Sequence, residues 1–283
     1  MMNKSRLLEV LASLDMHPSR KLGQNFLLDP NMLAAIVHDA GVQRGERILE
    51  VGPGLGMLTE ALLEAGADLT CVELDHRLAS YLREHLGAGQ RFKLVEGDAC
   101  RVDFDEIMGD APYRCVANLP YSCSTPFLAN ISTARNSPLD LTVLLQLEMA
   151  ERLCASPGSK EYGAPTVKVA LQYDVRILRH VDRKVFFPPP EVTSALVRFK
   201  RNQRCPDAEL RRRVERLVTL AFQQRRKKSA TQLSPHYPGV DVAAAFRAVG
   251  LNPDIRPDSI TINAYIALAE RLTVNVPPPV ARR

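Results

Sequence analysis

Between about Asn31 and Ala155 the apolar residues alternate between two spacings. PNMLAAIVHDAGV, LTEALLEAGA and HRLASYLREHLG repeat at three and four residues and stop at glycine, which predicts amphipathic helices. RILEVG, LTCVELD, FKLVEGDA, YRCVANLP and LTVLLQLE are short apolar runs rich in β-branched residues, which predicts buried strands. Strand–helix alternation of this kind predicts a mostly parallel sheet with helices on both faces, a Rossmann-like α/β domain. In such a sheet ligands bind at the carboxyl ends of the strands, where the strand order reverses.

Beyond this segment KVALQYDVRIL and SALVRFK read as two further strands, an antiparallel pair closing the sheet edge, separated by FFPPPEV. After Lys200 the spacing becomes helical, in ELRRRVERLVTLAFQQ, DVAAAFRAVG and SITINAYIALAERL, broken by the turns SPHYPG and LNPDIRPD. The expected organisation is an α/β domain over 1–203 and a small all-helical domain over 204–283. The tail VPPPVARR is expected to fray.

Charge changes this picture in one place. The chain of 283 residues carries +5. Residues 201–228 hold ten Lys/Arg against three acids, so this stretch exceeds the whole net charge. A local basic concentration points to a polyanionic partner or to a solvated helix face. Six scattered cysteines, none in a C-x-x-C pair, are expected as reduced thiols, and no metal site is expected. No apolar run reaches the roughly 20 residues of a membrane helix. The amino terminus lacks the pattern of a secretory signal, so a cytoplasmic protein is expected.

The candidate chemistry sits at four strand ends. The loop Glu50-Val51-Gly52-Pro53-Gly54-Leu55-Gly56 follows the first strand. Its glycines allow a tight turn and close approach of a ligand. A structural turn and a dinucleotide site remain alternatives, although the spacing is not G-x-G-x-x-G. Glu73 ends the second strand about 20 residues later, where a carboxylate can accept from ribose hydroxyls. Asp98 ends the third strand and suits either an adenine amino group or a turn cap. Asn118 ends the fourth. Together these groups suit S-adenosylmethionine, a nucleoside carrying an ammonium and a sulfonium. They suit NAD less, because no Lys or Arg faces a pyrophosphate.

LEVGPGLGMLT, VELD, EGDA and ANLPYSCSTPFL, with RKLGQNFLLD upstream, resemble the ribosomal RNA adenine dimethyltransferase family. VFFPPPEVTSALVRF and AFQQRRK resemble its small-subunit, kasugamycin-sensitivity branch, and matches run from Ser19 to Lys228. The resemblance implies transfer of methyl groups from S-adenosylmethionine to adenosine amines of small-subunit rRNA, at two adjacent adenosines near its 3′ end, by a monomer. It implies that Gln24, Asn25 and Leu27 close over the cofactor, and that Phe186, or its neighbour Phe187, packs on the target base. The tetrad Asn118-Leu119-Pro120-Tyr121, expected to end a strand and lead into a polar loop, also has a chemical reading. An adenine amine is a poor nucleophile because its lone pair is delocalised. The Asn118 side-chain oxygen and the Leu119 carbonyl can accept its two protons and redirect that pair. Pro120 stiffens the turn. Tyr121 offers a stacking face, worth ~1–3 kcal/mol. Arg225, Arg226 and Lys228 are the expected RNA contacts. QQRRKKSATQL lacks the Arg-Asn element that usually follows in relatives, and KVALQYDV diverges from the usual strand. A large-subunit methyltransferase of the macrolide-resistance kind and a non-catalytic RNA-binding factor are the rival readings.

Overall fold

The computed structural model describes residues 2–18, 23–87, 89, 91–204 and 207–272. The tail 276–283 and Cys205 lie outside the described residues. In chain order the elements are α1 (Lys4–Ser13), β1 (Phe26–Leu27), α2 (Pro30–Ala40), β2 (Arg47–Val51), α3 (Met57–Glu64), β3 (Asp68–Glu73), α4 (His76–Leu86) and β4 (Phe92–Glu96). Then come α5 (Phe104–Met108), β5 (Arg114–Asn118), α6 (Ser124–Thr133), β6 (Asp140–Gln146), α7 (Leu147–Leu153), α8 (Ala164–Ala170), β7 (Tyr173–Val181), β8 (Phe186–Phe187) and β9 (Ser194–Arg201). Helices α9 (Ala208–Phe222), α10 (Ser229–Leu233), α11 (Val242–Ala248) and α12 (Ile262–Arg271) follow.

The chain divides into two compact units, Met1–Ala150 with Val175–Arg201, and Glu151–Asp174 with the chain from Asn202 onward. It therefore passes between units three times, where a single boundary at 203/204 was expected. The difference lies in KVALQ, expected as strand. Pro165 stands in the first turn of α8, and Val167 and Leu171, four residues apart, are fully buried in one apolar cluster with Val214, Leu217 and Phe246. Leu171 N donates to Val167 O at 3.1 Å, so helical hydrogen bonding and packing onto that core win over the β propensity of Val167 and Val169.

In the first unit the sheet order is β4-β3-β2-β5-β6-β9-β7. Strands β2 to β6 pair in parallel, and β9 runs antiparallel to β6 with Gln146 opposite Ser194. The chain starts at β2, builds outward through β3 to β4, then returns to β5 on the other side of β2. The reversal therefore falls between β2 and β5, which places Gly52 and Asn118 at the mouth of the crevice. Local signals fix the helices that cover the sheet. The Asp29 side chain accepts from Met32 N at 2.8 Å and starts α2, and Gly41, at φ 63°, ends it. A separate two-stranded ribbon pairs β1 with β8, Leu27 opposite Phe186.

The second unit buries Tyr162, Phe246 and Tyr265. Two of its phenols are anchored on backbone carbonyls, Tyr162 on Ile260 at 2.9 Å and Tyr265 on Pro257 at 2.8 Å. Helices α9, α11 and α12 match the expected helical segments, with Asp241 and Thr261 capping the last two.

Candidate active site

A cleft of about 1000 Å³, counting its open mouth, lies within the first unit at the carboxyl ends of β2 to β5. Gly52, Glu73, Asp98 and Asn118 all face it, as do Asn25 and Tyr121. Four carboxylates belong to its wall: Glu50, Glu73, Asp75 and Asp98. Among the described residues no Lys, Arg or His does. This lining suits a cation and opposes a pyrophosphate.

Each acid is held differently. Glu50, at the end of β2, is 1% exposed. Its Oε2 accepts from Thr59 Oγ1 at 2.8 Å and Cys71 Sγ at 3.4 Å. Burial pushes its carboxyl up to about 7, against those bonds, and nearby Glu73 adds to the rise. Glu73 ties the crevice together: Oε2 accepts from Gly54 N at 3.1 Å and Oε1 from Asp75 N at 2.9 Å. Burial raises its carboxyl also, with the two amides pulling the other way. Asp98 accepts from Cys100 N at 2.9 Å, so it caps its turn and faces the cleft at once.

The glycines are required by contact as well as by dihedral. Gly52 has φ +67°, and a Cβ there would stand 2.9 Å from Pro120 Cδ. Gly54 has φ +61°, and its Cβ would come 3.2 Å from the Phe26 ring. Gly23 is pressed on the tetrad in the same way, where a Cβ would meet Tyr121 N at 3.0 Å.

The tetrad is a turn that leads directly into a helix, where the sequence suggested a polar loop. Cys123 N donates to Pro120 O at 2.9 Å, and α6 starts one residue later. Asn118 lines the cleft, and its Nδ2 donates to the Asn25 carbonyl at 3.0 Å, which fixes the amide and leaves Oδ1 as its acceptor. Leu119 is buried at 1% exposure. Tyr121 is half-buried, and its hydroxyl bonds Ser194 Oγ.

Two expectations meet particulars of the structure. Phe186 is 3% exposed and packs in the core with Leu27 and Ile36, outside the cleft wall. The ribbon register forces this, because residues 186 and 187 point to opposite sides. The half-exposed ring is Phe187, with the Lys4 ammonium 5.3 Å from its centre. In the second unit, Arg225 donates to Asp258 and to the Ser159 carbonyl, both at 3.1 Å, and Lys228 pairs with Asp254 at 2.6 Å. Arg226 is exposed, as is its neighbour Lys227. Sequence reasoning missed Thr59, Cys71 and Ser194, because each meets its partner only through sheet and helix packing. Gly23 was legible as a glycine but not as a contact.

A family model described as ribosomal RNA adenine dimethylase matches residues 17–273. The chain is 41% identical to the ribosomal RNA small subunit methyltransferase A of Leifsonia xyli, covering 95% of this chain and 100% of that one. It is 39% identical to the protein of that name from Prosthecochloris aestuarii, covering 89% and 93%. Among solved structures it is similar to the 23S rRNA methyltransferase ErmE, with TM-score 0.66, 27% identity and coverage of 88% and 99%. A dimethyladenosine transferase from Plasmodium falciparum shares the fold, with TM-score 0.74, 22% identity and coverage of 86% and 95%.

Proposed function

The chain belongs to the ribosomal RNA adenine dimethylase family, and from that premise we propose which of its residues carry the reaction. It is an S-adenosylmethionine-dependent rRNA adenine methyltransferase acting on the small subunit. The observation that carries the assignment of roles is the convergence of Glu73, Asp98 and Asn118 on one acidic cleft, with the Asn118 amide fixed by the Asn25 carbonyl.

The residues present fit this cofactor. The glycine loop has no room for side chains, and the cleft wall holds four carboxylates and no Lys, Arg or His among the described residues, with Arg77 and Arg101 pairing Asp75 and Asp98 from outside that wall. Glu73 would hold the ribose, Asp98 the adenine amine, and Glu50 the positive charge from beneath the loop, while Gly52 and Gly54 admit the ligand. Asn25 holds Asn118 through its backbone carbonyl, and Leu27, opposite Phe186 in the ribbon, lines the cleft where it would border the cofactor. Bound there, the cofactor supplies an electrophilic methyl on a sulfonium. The protein's task is to orient the other reactant. Asn118 Oδ1 and the Leu119 carbonyl accept the two amine protons of the target adenine, which frees the nitrogen lone pair for in-line attack. Tyr121, fixed by Ser194, supports the base. Positioning of this kind is worth ~7–11 kcal/mol. No strong base is needed, since the proton leaves after transfer.

RNA is held by the second unit's basic residues. Arg226, Lys227 and Lys228 are exposed, Lys228 while paired with Asp254, and Arg225 is partly buried in its pair with Asp258. Two adjacent adenosines near the 3′ end, each dimethylated, are the proposed targets, and a cytoplasmic monomer the proposed form. Among the described residues no helix is long and apolar enough to cross a membrane.

The test is Asn118→Ala under single-turnover conditions with 16S rRNA, read by mass spectrometry of the methylated adenosines. The rate should fall about 10²-fold or more, with RNA affinity unchanged. A rate near wild type would remove Asn118 from the chemistry. Methyls appearing on 23S rRNA instead would favour the large-subunit reading.

A further inference from the structure

Cys100 and Cys123 lie on two segments that border the cofactor cleft. Cys100 follows Asp98, and its own amide donates to that carboxylate at 2.9 Å. Cys123 lines the cleft two residues after Tyr121, and its amide donates to Pro120 O at 2.9 Å. The sulfurs are 3.2 Å apart, and both residues are partly exposed free thiols. The same two segments are clasped further along α6, where Asn130 Nδ2 donates to the carbonyls of Ala99 at 3.1 Å and Val102 at 3.0 Å. A disulfide sulfur pair stands about 2.05 Å apart, so closure asks for roughly an ångström of movement. Cys71 and Cys115 are fully buried in the sheet and offer no comparable access.

We propose that Cys100 and Cys123 form a redox-modifiable dithiol that joins the Asp98 turn to the tetrad turn and, when oxidised by a low-molecular-weight disulfide, stops methyl transfer. One protein thiolate attacks the small disulfide, forming a mixed disulfide and releasing one small thiol. The second protein thiolate displaces the other small thiol and closes the Cys100–Cys123 bond. The two protein thiols lose two electrons and two protons, and the small disulfide becomes two thiols. Burial raises both thiols, so neither is a standing thiolate and the pair responds slowly, to a sustained change in poise. Closing the bond draws Cys123 toward Cys100 and pulls the Pro120 turn with it. A displacement of about 1 Å in a positioning group can cost about 10²-fold in rate. The functional half of this inference rests on the tetrad being the site of chemistry.

The experiment equilibrates the full-length protein in glutathione buffers from reducing to oxidising, then alkylates and digests it without reduction. A peptide pair joined through Cys100 and Cys123 is expected, with single-turnover methylation of 16S rRNA reduced at least tenfold and recovered with dithiothreitol. Cys100→Ser should methylate normally and lose the oxidant sensitivity. Separate alkylation of both thiols, or mixed disulfides with glutathione that never close, would overturn the site. A crosslinked protein that methylates at the rate of the reduced protein would overturn its control of the reaction. Calorimetry of cofactor binding to the reduced protein runs alongside, and a failure there counts against the cleft assignment, while the peptide crosslink still judges the dithiol.

Discussion

At the residue scale the two buried carboxylates of the cleft have separable roles. Glu73 already accepts two backbone amides and keeps one edge toward the cleft. Glu73→Ala should weaken S-adenosylmethionine by ~1.5–3 kcal/mol, about 10- to 150-fold, measured by calorimetry. Glu73→Gln keeps an acceptor for only one of those two amides, so its loss should be smaller than that of Glu73→Ala but not zero. Glu50 is a liability to the empty fold. Its carboxyl is raised from 4.5 to about 7 by burial, so the native state holds a proton that the unfolded chain releases. The native state therefore binds more protons between those values, and stability falls as pH rises from 4.5 to about 7. Glu50→Gln should flatten that decline and raise stability on its alkaline side by on the order of 3 kcal/mol, read as a higher melting temperature there. The same variant should bind the cationic cofactor more weakly. A melting curve with the wild-type pH slope would show that Glu50 ionises as an ordinary carboxylate.

At the element scale the site depends on two turns packed on each other. The loop after β2 meets the turn after β5 at Gly52 and Pro120, and the segment ahead of β1 meets it at Gly23. Gly52→Ala therefore combines a left-handed φ with a 2.9 Å approach to the proline ring. At Gly41, which ends α2 at φ +63°, a Cβ would meet nothing within 4 Å, so Gly41→Ala adds backbone strain alone, ~1–2 kcal/mol. Both variants should lower the melting temperature, but only Gly52→Ala should also lose cofactor affinity, by about tenfold or more, the loss expected when a close backbone approach is blocked. Equal cofactor binding in the two folded variants would show that the Gly52–Pro120 contact does not shape the cleft.

At the scale of the whole molecule, charge is divided by unit. The cofactor cleft in the first unit is acidic, while the +7 stretch belongs almost wholly to the second. Within that stretch charge count and RNA contact are different quantities. Arg225 binds Asp258 and the Ser159 carbonyl, so it holds its own unit together. Arg226→Ala with Lys227→Ala should weaken rRNA binding and flatten its salt dependence, each lost phosphate contact removing ~0.7–0.9 from the log–log slope. Arg225→Ala should mainly lower the melting temperature. Cofactor affinity should stay unchanged in both proteins. A salt series in which Arg225→Ala changes the slope and the double variant does not would reverse this division.

Much of this was legible along the chain. Binary spacing disclosed the sheet strands β2 to β6, and Gly41 and the glycine loop marked where α2 ends and where the crevice starts. These signals are local, so they survive without knowledge of neighbours. Glu73, Asp98 and Asn118 were legible as strand-end polar residues because a parallel sheet brings successive strand ends to one edge. Tertiary structure decided the rest. Strand order put β5 beside β2 and so brought Asn118 to Gly52. Packing and the Leu171 N to Val167 O hydrogen bond turned residues 168–170 from strand to helix, with Val167 and Leu171 settled in the second unit's core. The ribbon register sent Phe186 inward. Pairings across long separations, Glu50 with Thr59 and Cys71, Tyr121 with Ser194, and Cys100 with Cys123, carry no local pattern, because each depends on where two distant segments come to rest.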